Sequence, residues 1–477
     1  MNQNNDRRTK SVELMRDYMG GRIDRRQLLK SAAAAGVLLP VISIMRGAGP
    51  AYAQDATPVA DATAGSTITV PADVRTDLSG AEIAWMGPSA ADPDLAWNQA
   101  ALAKFTEATG IKVNLINGEN QTDARLQAMR QQFAAQSSDI DAYQIDIIWP
   151  GVVAEHAVPL QDALGDKIST FFPGIIAANT VDGNLIGIPW FTDAGLLYYR
   201  TDLLEKYSLE APATWADLET SAQTIKEGEA ASNPDFTGFV WQGKAYEGLT
   251  CNGLEWLVSQ GGGTIIDTDR TVTVNNDKAI AAMDRAAKWV NGISPEGVTT
   301  YTETETFNVW VAGNAAFARN WPYMYAGSQD SDVIKGKVGV SPLPKGDAAE
   351  DTSAATLGGW QMMVSKYSKS QDATIEFVKY MTSPELQTSY AIERSHLPTI
   401  PAVYDDVAVA ASSEFIPRLK AVFEAAVGRP SAQTGDLYPE LSTVFYQQLN
   451  QVLSGSKSAA DAAAQMEKDM NAVLADA

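Results

Sequence analysis

The residue types able to do chemistry in this chain gather in a few short stretches. Trp310–Tyr325 reads WVAGNAAFARNWPYMY. It runs from an apolar helical stripe through a turn at Gly313 and Asn314 into a short apolar segment, then Arg319, Asn320, Trp321, Pro322 and Tyr323. Flat aromatic faces beside an arginine fork and an amide suit a ligand with apolar C–H faces and many hydroxyls, which describes a sugar. Asp146 lies within the apolar run YQIDIIW at Tyr143–Trp149 and reads as the end of that strand, and Asp193 ends the string WFTD at 190–193, where the chain passes into its second region. Open α/β sheets present their ligand sites at the ends of such strands, and one carboxylate accepts from two hydroxyls at once. Paired carboxylates with aromatic platforms are also the equipment of a glycoside hydrolase, so a sugar-cleaving enzyme is the alternative. The sequence contains no Gly-x-Ser-x-Gly elbow, HExxH motif or phosphate-binding loop.

The elements that must hold these residues read as α/β. Ala81–Met86, Lys112–Ile116, Tyr143–Trp149 and Leu185–Pro189 have strand character. Between them lie helical patterns near residues 93–109, with Trp97, Leu102 and Phe105 on one face, and 123–136, with Leu126, Met129 and Phe133. Strands alternating with helices imply a mostly parallel sheet. A second region starts at Leu196–Arg200 and carries helices near 215–228, 253–260 and 278–291, with a crossing strand at 337–344. Strand character resumes over Ala354–Val364, residues 372–381 are helical, and the tail from Ser412 is mostly helical. No repeat of 20–50 residues is present.

Length allows two or three domains with a large core. The net charge of −22 is carried by the body, because residues 1–53 hold nine Lys or Arg against four Asp or Glu. A surface this acidic repels phosphate backbones and anionic headgroups, so no nucleic-acid partner is expected. One cysteine, Cys251, allows no internal disulfide and no multi-cysteine metal site, and it reads as a buried small hydrophobe. His156 and His396 read as structural or surface residues, and no cofactor is expected.

Residues 1–53 read as an export signal. Arg25 and Arg26 precede a modest apolar run over 32–45 and the small-residue site Ala51-Tyr52-Ala53, which is similar to a twin-arginine signal peptide. No cysteine lies near that site, so lipid anchoring is not expected, and the mature chain works at the outer face of the cytoplasmic membrane or in the periplasm. Residues 54–80, rich in Ala, Thr, Pro and Asp, read as a flexible tether.

Five strings in one order, DAGLLYYR (193–200), GFVWQGKAYEGL (238–249), GNAAFARNWPY (313–323), KGKVGVSPL (335–343) and AATLGGW (354–360), resemble the extracellular solute-binding proteins of ABC sugar importers, with most similarity to the trehalose/maltose-binding branch. IEFVK (375–379) and PAVYD (401–405) add to the resemblance, which spans about residues 81 to 475. It implies an α/β, two-lobed periplasmic-binding-protein fold of type II, maltose-binding-protein-like, with hinge crossing segments. The lobes would be 81–190 with 343–383, and 191–342 with 384–477. It also implies a monomeric receptor, not an enzyme, that closes over an α-glucoside disaccharide and hands it to membrane permease subunits. Closure of this kind draws its energy from a ligand touching both lobes.

The resemblance places Arg125, Asp146, Asp193, Tyr246, Glu247, Trp321, Tyr323, Gly358, Gly359 and Trp360 at the ligand. Trp321 and Tyr323 would be platforms for a pyranose ring, Gly358 and Gly359 would let backbone come close, and Trp360 would form a second wall. Arg319 is expected to anchor its strand instead. Two departures reduce the polar set. The loop 88–92 has no glutamate where the branch carries one, with Leu95 near that position, and Ile400 stands where the branch has a cleft arginine. Phe191 replaces a frequent tyrosine. A secreted structural or adhesion protein is a third reading, separated from the others by showing no small-molecule stabilisation.

Overall fold

The computed structural model describes residues 67–475, except 414, 415, 417, 418, 420, 421 and 423–425. Among the described residues the strands run β1 (Glu82–Gly87), β2 (Lys112–Asn117), β3 (Ala142–Asp146), β4 (Thr180–Val181), β5 (Asn184–Leu185), β6 (Ile188–Ala194), β7 (Leu196–Arg200), β8 (Thr237–Val240), β9 (Ala315–Asn320), β10 (Val338–Ser341) and β11 (Leu357–Val364). They form a five-stranded sheet, ordered β2-β1-β3-β11-β6, a four-stranded sheet, ordered β10-β7-β9-β8, and the small β4-β5 pair.

The first sheet starts as the sequence predicts. β1 pairs in parallel with β2 and β3, and each parallel step needs a crossover. Helices α1 (Leu95–Thr109) and α2 (Thr122–Ala134) supply them. Helix α1 stops where Gly110 adopts φ +73° and its N–H caps Thr106. Strand alternation then sorts the core. Ile83 and Trp85 face one side with Phe105, while Met86 faces the other with Met129, Phe133 and Tyr143.

The mostly parallel expectation is corrected. β11 enters antiparallel to both β3 and β6, and in the second sheet only β8–β9 is parallel. Each of these strands is a short apolar run, and apolarity carries no direction. β11 also arrives from more than 150 positions beyond β6, after the chain has built the second sheet.

Helices α3 (Trp215–Glu229), α4 (Glu247–Ser259), α5 (Asp277–Trp289), α6 (Glu303–Val311), α7 (Gln371–Met381), α8 (Pro384–Arg394), α9 (Tyr438–Leu453) and α10 (Ala459–Ala475) cover the sheets. On the second-sheet side, Trp241, Trp256 and Trp289 meet edge to face at 5.0 and 5.5 Å, with Trp215 against Trp289 at 5.3 Å. Such packing stabilises beyond the area it buries.

Two segment boundaries differ from expectation. Tyr390 on α8 stacks on Trp97 at 4.1 Å and on Trp190 at 5.6 Å. The boundary at residue 383 therefore cuts α8 away from Trp97 of α1 and Trp190 of β6, which it covers. Nor do residues 67–80 form a free tether. Ile68 is buried, Thr67 Oγ1 donates to Glu393 Oε1 at 2.8 Å, and Arg75 N donates to Glu376 Oε1 at 2.9 Å. Asp73 pairs with Lys167 at 2.7 Å. One buried isoleucine, two hydrogen bonds and an ion pair tie down a segment whose composition suggests solvent. Residues 1–66, where the export signal and the first part of the tether are expected, lie outside the described residues.

Candidate functional site

The register of three neighbouring strands brings the two aspartates together. On one side of β11, Trp360 lies opposite Asp146 of β3, and on the other Gly358 lies opposite Asp193 of β6. β9 of the second sheet ends at Asn320, and the chain turns through Trp321-Pro322-Tyr323 toward them. The turn is fixed from below, because Tyr198 Oη donates to the carbonyls of Trp321 (2.8 Å) and Pro322 (3.1 Å). Between these ends lies a cavity of about 150 Å³. Nine of the ten expected residues line it: Arg125, Asp146, Asp193, Glu247, Trp321, Tyr323, Gly358, Gly359 and Trp360.

Asp193 is buried, and its Oδ1 has no hydrogen-bond partner. Burial, opposed by the charge of His396, pushes its carboxyl up to about 6. Asp146 is better served. Its Oδ1 accepts from Ile148 N at 3.2 Å and from Arg429 Nη2 at 3.1 Å. Arg429 Nη1 donates to Glu247 Oε1 at 3.0 Å, so one guanidinium joins the end of β3 to the start of α4. Glu247 also accepts from Ser442 at 2.6 Å and from Tyr438. Its carboxyl, raised by burial to about 7, is committed to protein partners although it lines the cavity. Arg125 likewise spends most of its fork on Gly87 O, Glu119 O and Gln144 Oε1, at 2.9–3.2 Å, and lies 4.9 Å from the Trp360 ring.

Trp321 is held on two sides. Its Nε1 donates to Glu303 Oε1 at 3.2 Å, and the Arg319 guanidinium lies over its ring at 4.0 Å. Arg319 is itself buried, with Nε on Glu255 Oε2 at 2.9 Å and Nη1 on Gln242 Oε1 at 3.0 Å. It faces its own strand's supports and not the cavity. Tyr246 is corrected. It does not line the cavity, and its hydroxyl donates to Glu303 Oε2 at 2.6 Å. Adjacent residues at a helix start diverge, so Glu247 reaches the cavity while Tyr246 braces the side chain that holds Trp321.

Gly358 is needed for close approach. A Cβ there would meet Trp321 Cζ3 at 3.1 Å and Asp193 Cβ at 3.2 Å. Gly359, at φ +125°, would bring a Cβ to 2.6 Å from Phe191 O. Gly358→Ala is expected to weaken ligand binding about tenfold by pushing Trp321 and Asp193 apart, a cost of roughly 1.4 kcal/mol. Calorimetric titration beside a melting curve checks this, with the affinity changing more than the melting temperature.

Several lining residues were not read from the sequence. Arg429, a lone arginine in the tail string VGRPS, supplies the cavity arginine that Ile400 does not. The loop that lacks a glutamate brings in Asp92 and Asp94 instead. His396, expected to be structural, pairs with Asp94 Oδ2 at 2.6 Å and also lines the cavity. Burial opposes the charged form of Asp94, but His396 and Arg394 together hold its carboxyl below the usual range. Glu303 had one available signal, its place as the first residue of α6 beyond the Thr302 cap.

Residues 87–388 match the family of bacterial extracellular solute-binding proteins. A probable ABC transporter-binding protein of Deinococcus radiodurans is 45% identical over 353 residues, 73% of this chain and 84% of that protein. Among solved structures, maltose-bound T. maritima MalE3 is 34% identical with a TM-score of 0.78, covering 83% of this chain and all of that one. The GacH receptor of Streptomyces glaucescens, solved unliganded and with acarbose, is 26% identical with a TM-score of 0.73, over 83% of this chain and 99% of that one. These structures share the two-lobed, maltose-binding-protein-like fold of mixed α/β sheets. Relatives and family alike are binding components of ABC transporters, which sets the hydrolase alternative aside. The chain is an exported binding protein and belongs to the bacterial extracellular solute-binding protein family of ABC importers.

Proposed function

We propose that the protein is the sugar receptor of its importer, a monomer that captures an α-glucoside disaccharide of the trehalose or maltose kind. It then delivers the sugar to membrane permease subunits. The observation that carries this reading is the meeting of an unpartnered carboxylate, Asp193, with an aromatic plate, Trp321, from different sheets in one cavity. A pyranose offers what both need, hydroxyl donors on its rim and C–H groups on its face. The maltose and acarbose bound by the structural relatives support the same class. Export through a twin-arginine signal in residues 1–53 completes the proposal.

A thermal-shift screen over mono-, di- and oligosaccharides tests it. A sugar at about a hundred times its dissociation constant adds about 2.7 kcal/mol to the fold. Recovery of the sugar intact fits a receptor, and turnover would contradict it.

Binding is expected to weaken in acid. In the free protein Asp193 takes up its proton near 6. Hydroxyls donating to the carboxylate favour its charged form, so the complex holds fewer protons and binding releases one. Affinity is then full above about 6 and falls below it, by about tenfold at one unit lower. Titration at neutral and mildly acid pH measures this, and an affinity that does not change would remove Asp193 from the contact. The ligand-free fold behaves oppositely. The raised carboxyl contributes stability that is present below its ordinary 3.8 and lost as pH rises through about 6.

A further inference from the structure

The charges lining the cavity do not balance. Asp92, Asp94, Asp146, Asp193, Glu247 and Glu303 face Arg125, Arg429 and His396. The arginines are already spent on the protein. Arg429 is divided between Asp146 and Glu247, with only its Nε unpartnered, Arg125 is bonded to two carbonyls and an amide, and His396 Nε2 pairs with Asp94 while its Nδ1 has no partner. Among the described residues Glu303 accepts only from the neutral donors Tyr246 and Trp321. Asp193 accepts from no described group, and its Oδ1 is buried. A Cβ built on its strand partner Gly358 would lie 3.2 Å from Asp193 Cβ and 3.1 Å from Trp321 Cζ3.

A buried carboxylate left without donors costs free energy that a ligand can return. A hydroxyl returns part of it by donating one hydrogen bond. An ammonium brings three donors and the opposite charge, and charge-assisted bonds are roughly twice as strong as neutral ones. A carboxylate or phosphate on the ligand meets like charge beside arginines already paired with carboxylates or bonded to carbonyls, and like-charge contacts are unfavourable. The chain's net charge of −22 acts in the same direction.

We propose that the cavity sorts sugars by charge, preferring an amine-bearing sugar to its neutral counterpart and refusing uronates and sugar phosphates, with Asp193 receiving the ammonium. This rests on the sugar-receptor reading above and narrows it.

The test is calorimetric titration at neutral pH with matched pairs, glucose with glucosamine and trehalose with 2-amino-2-deoxytrehalose, and with glucuronate as the anion. In at least one pair the amino member should bind about tenfold more tightly than its neutral partner, and glucuronate should give no binding. Asp193→Asn, close in shape and checked by its melting curve, should weaken both members and erase the difference between them. If that variant does not fold, the wild-type pairs decide alone. Neutral sugars that bind as well as their amino partners, or an amine preference that survives in Asp193→Asn, would overturn the charge sorting and leave the receptor standing. If no neutral or amino sugar binds, in these pairs or in the thermal-shift screen, the sugar reading falls and the charge sorting with it.

Discussion

Arg319→Ala should lower the stability of the fold by about 3–5 kcal/mol, the usual cost of removing one partner of a buried ion pair. Arg319 and Glu255 both have side chains only 1% exposed, so Glu255 would be left charged without water or counterion. The damage would not stay local. Glu255 Oε1 also accepts from Thr356 N at 3.1 Å, just before β11. Gly195, between β6 and β7, passes so close that a Cβ there would lie 2.1 Å from Glu255 Oε1 and 2.6 Å from Arg319 Nη2. The pair therefore sits under two of the segments that cross between the sheets. Trp321 would also lose the guanidinium under its ring. Urea unfolding measures the loss, and a change below about 1 kcal/mol, the range of an exposed pair, would contradict the burial described here. Replacing both residues together by apolar ones of similar volume should recover much of the stability, because no orphaned charge remains.

Trp321→Ala should cost about 2–4 kcal/mol of binding while the melting temperature changes little. Central aromatic contacts dominate binding energies in this way, and the ring is only half-buried, with one face toward the cavity. Trp321→Phe separates two contributions. It keeps an aromatic plate but removes the Nε1 bond to Glu303, so its affinity should fall between wild type and alanine. If Trp321→Ala lowers the melting temperature and leaves the affinity unchanged, the ring is core and not platform.

Much of this architecture was legible in the sequence where local pattern and local structure coincide. Alternation in β1 and helical spacing in α1 and α2 place the first half of the large sheet, Asp146 announces itself as a carboxylate at the end of an apolar strand, and Asp193 as one where the chain passes into its second region. Direction and distance were not legible. Nothing in LGGWQMMV states that β11 runs antiparallel between β3 and β6, yet that insertion sets Gly358 opposite Asp193. Arg429 was missed for the same reason. Its importance comes from folding back onto Asp146, 283 positions away, and a lone arginine before a proline carries no trace of it. Tyr246 differs for a local reason, since adjacent residues at the start of α4 point apart and only Glu247 lines the cavity. The segment 67–80 was misjudged because composition averages over residues, while a few of them hold it in place.

The central claim is that one sugar is held by both sheets at once, in the cavity between Asp193 and Trp321. The most direct measurement is a crystal structure with a sugar bound, chosen from the tightest binder in the thermal-shift screen. The account predicts a pyranose ring lying on Trp321, with hydroxyl or amino groups on the free oxygens of Asp193 and Asp146. A sugar found outside this cavity, or touching residues of one sheet alone, would contradict it.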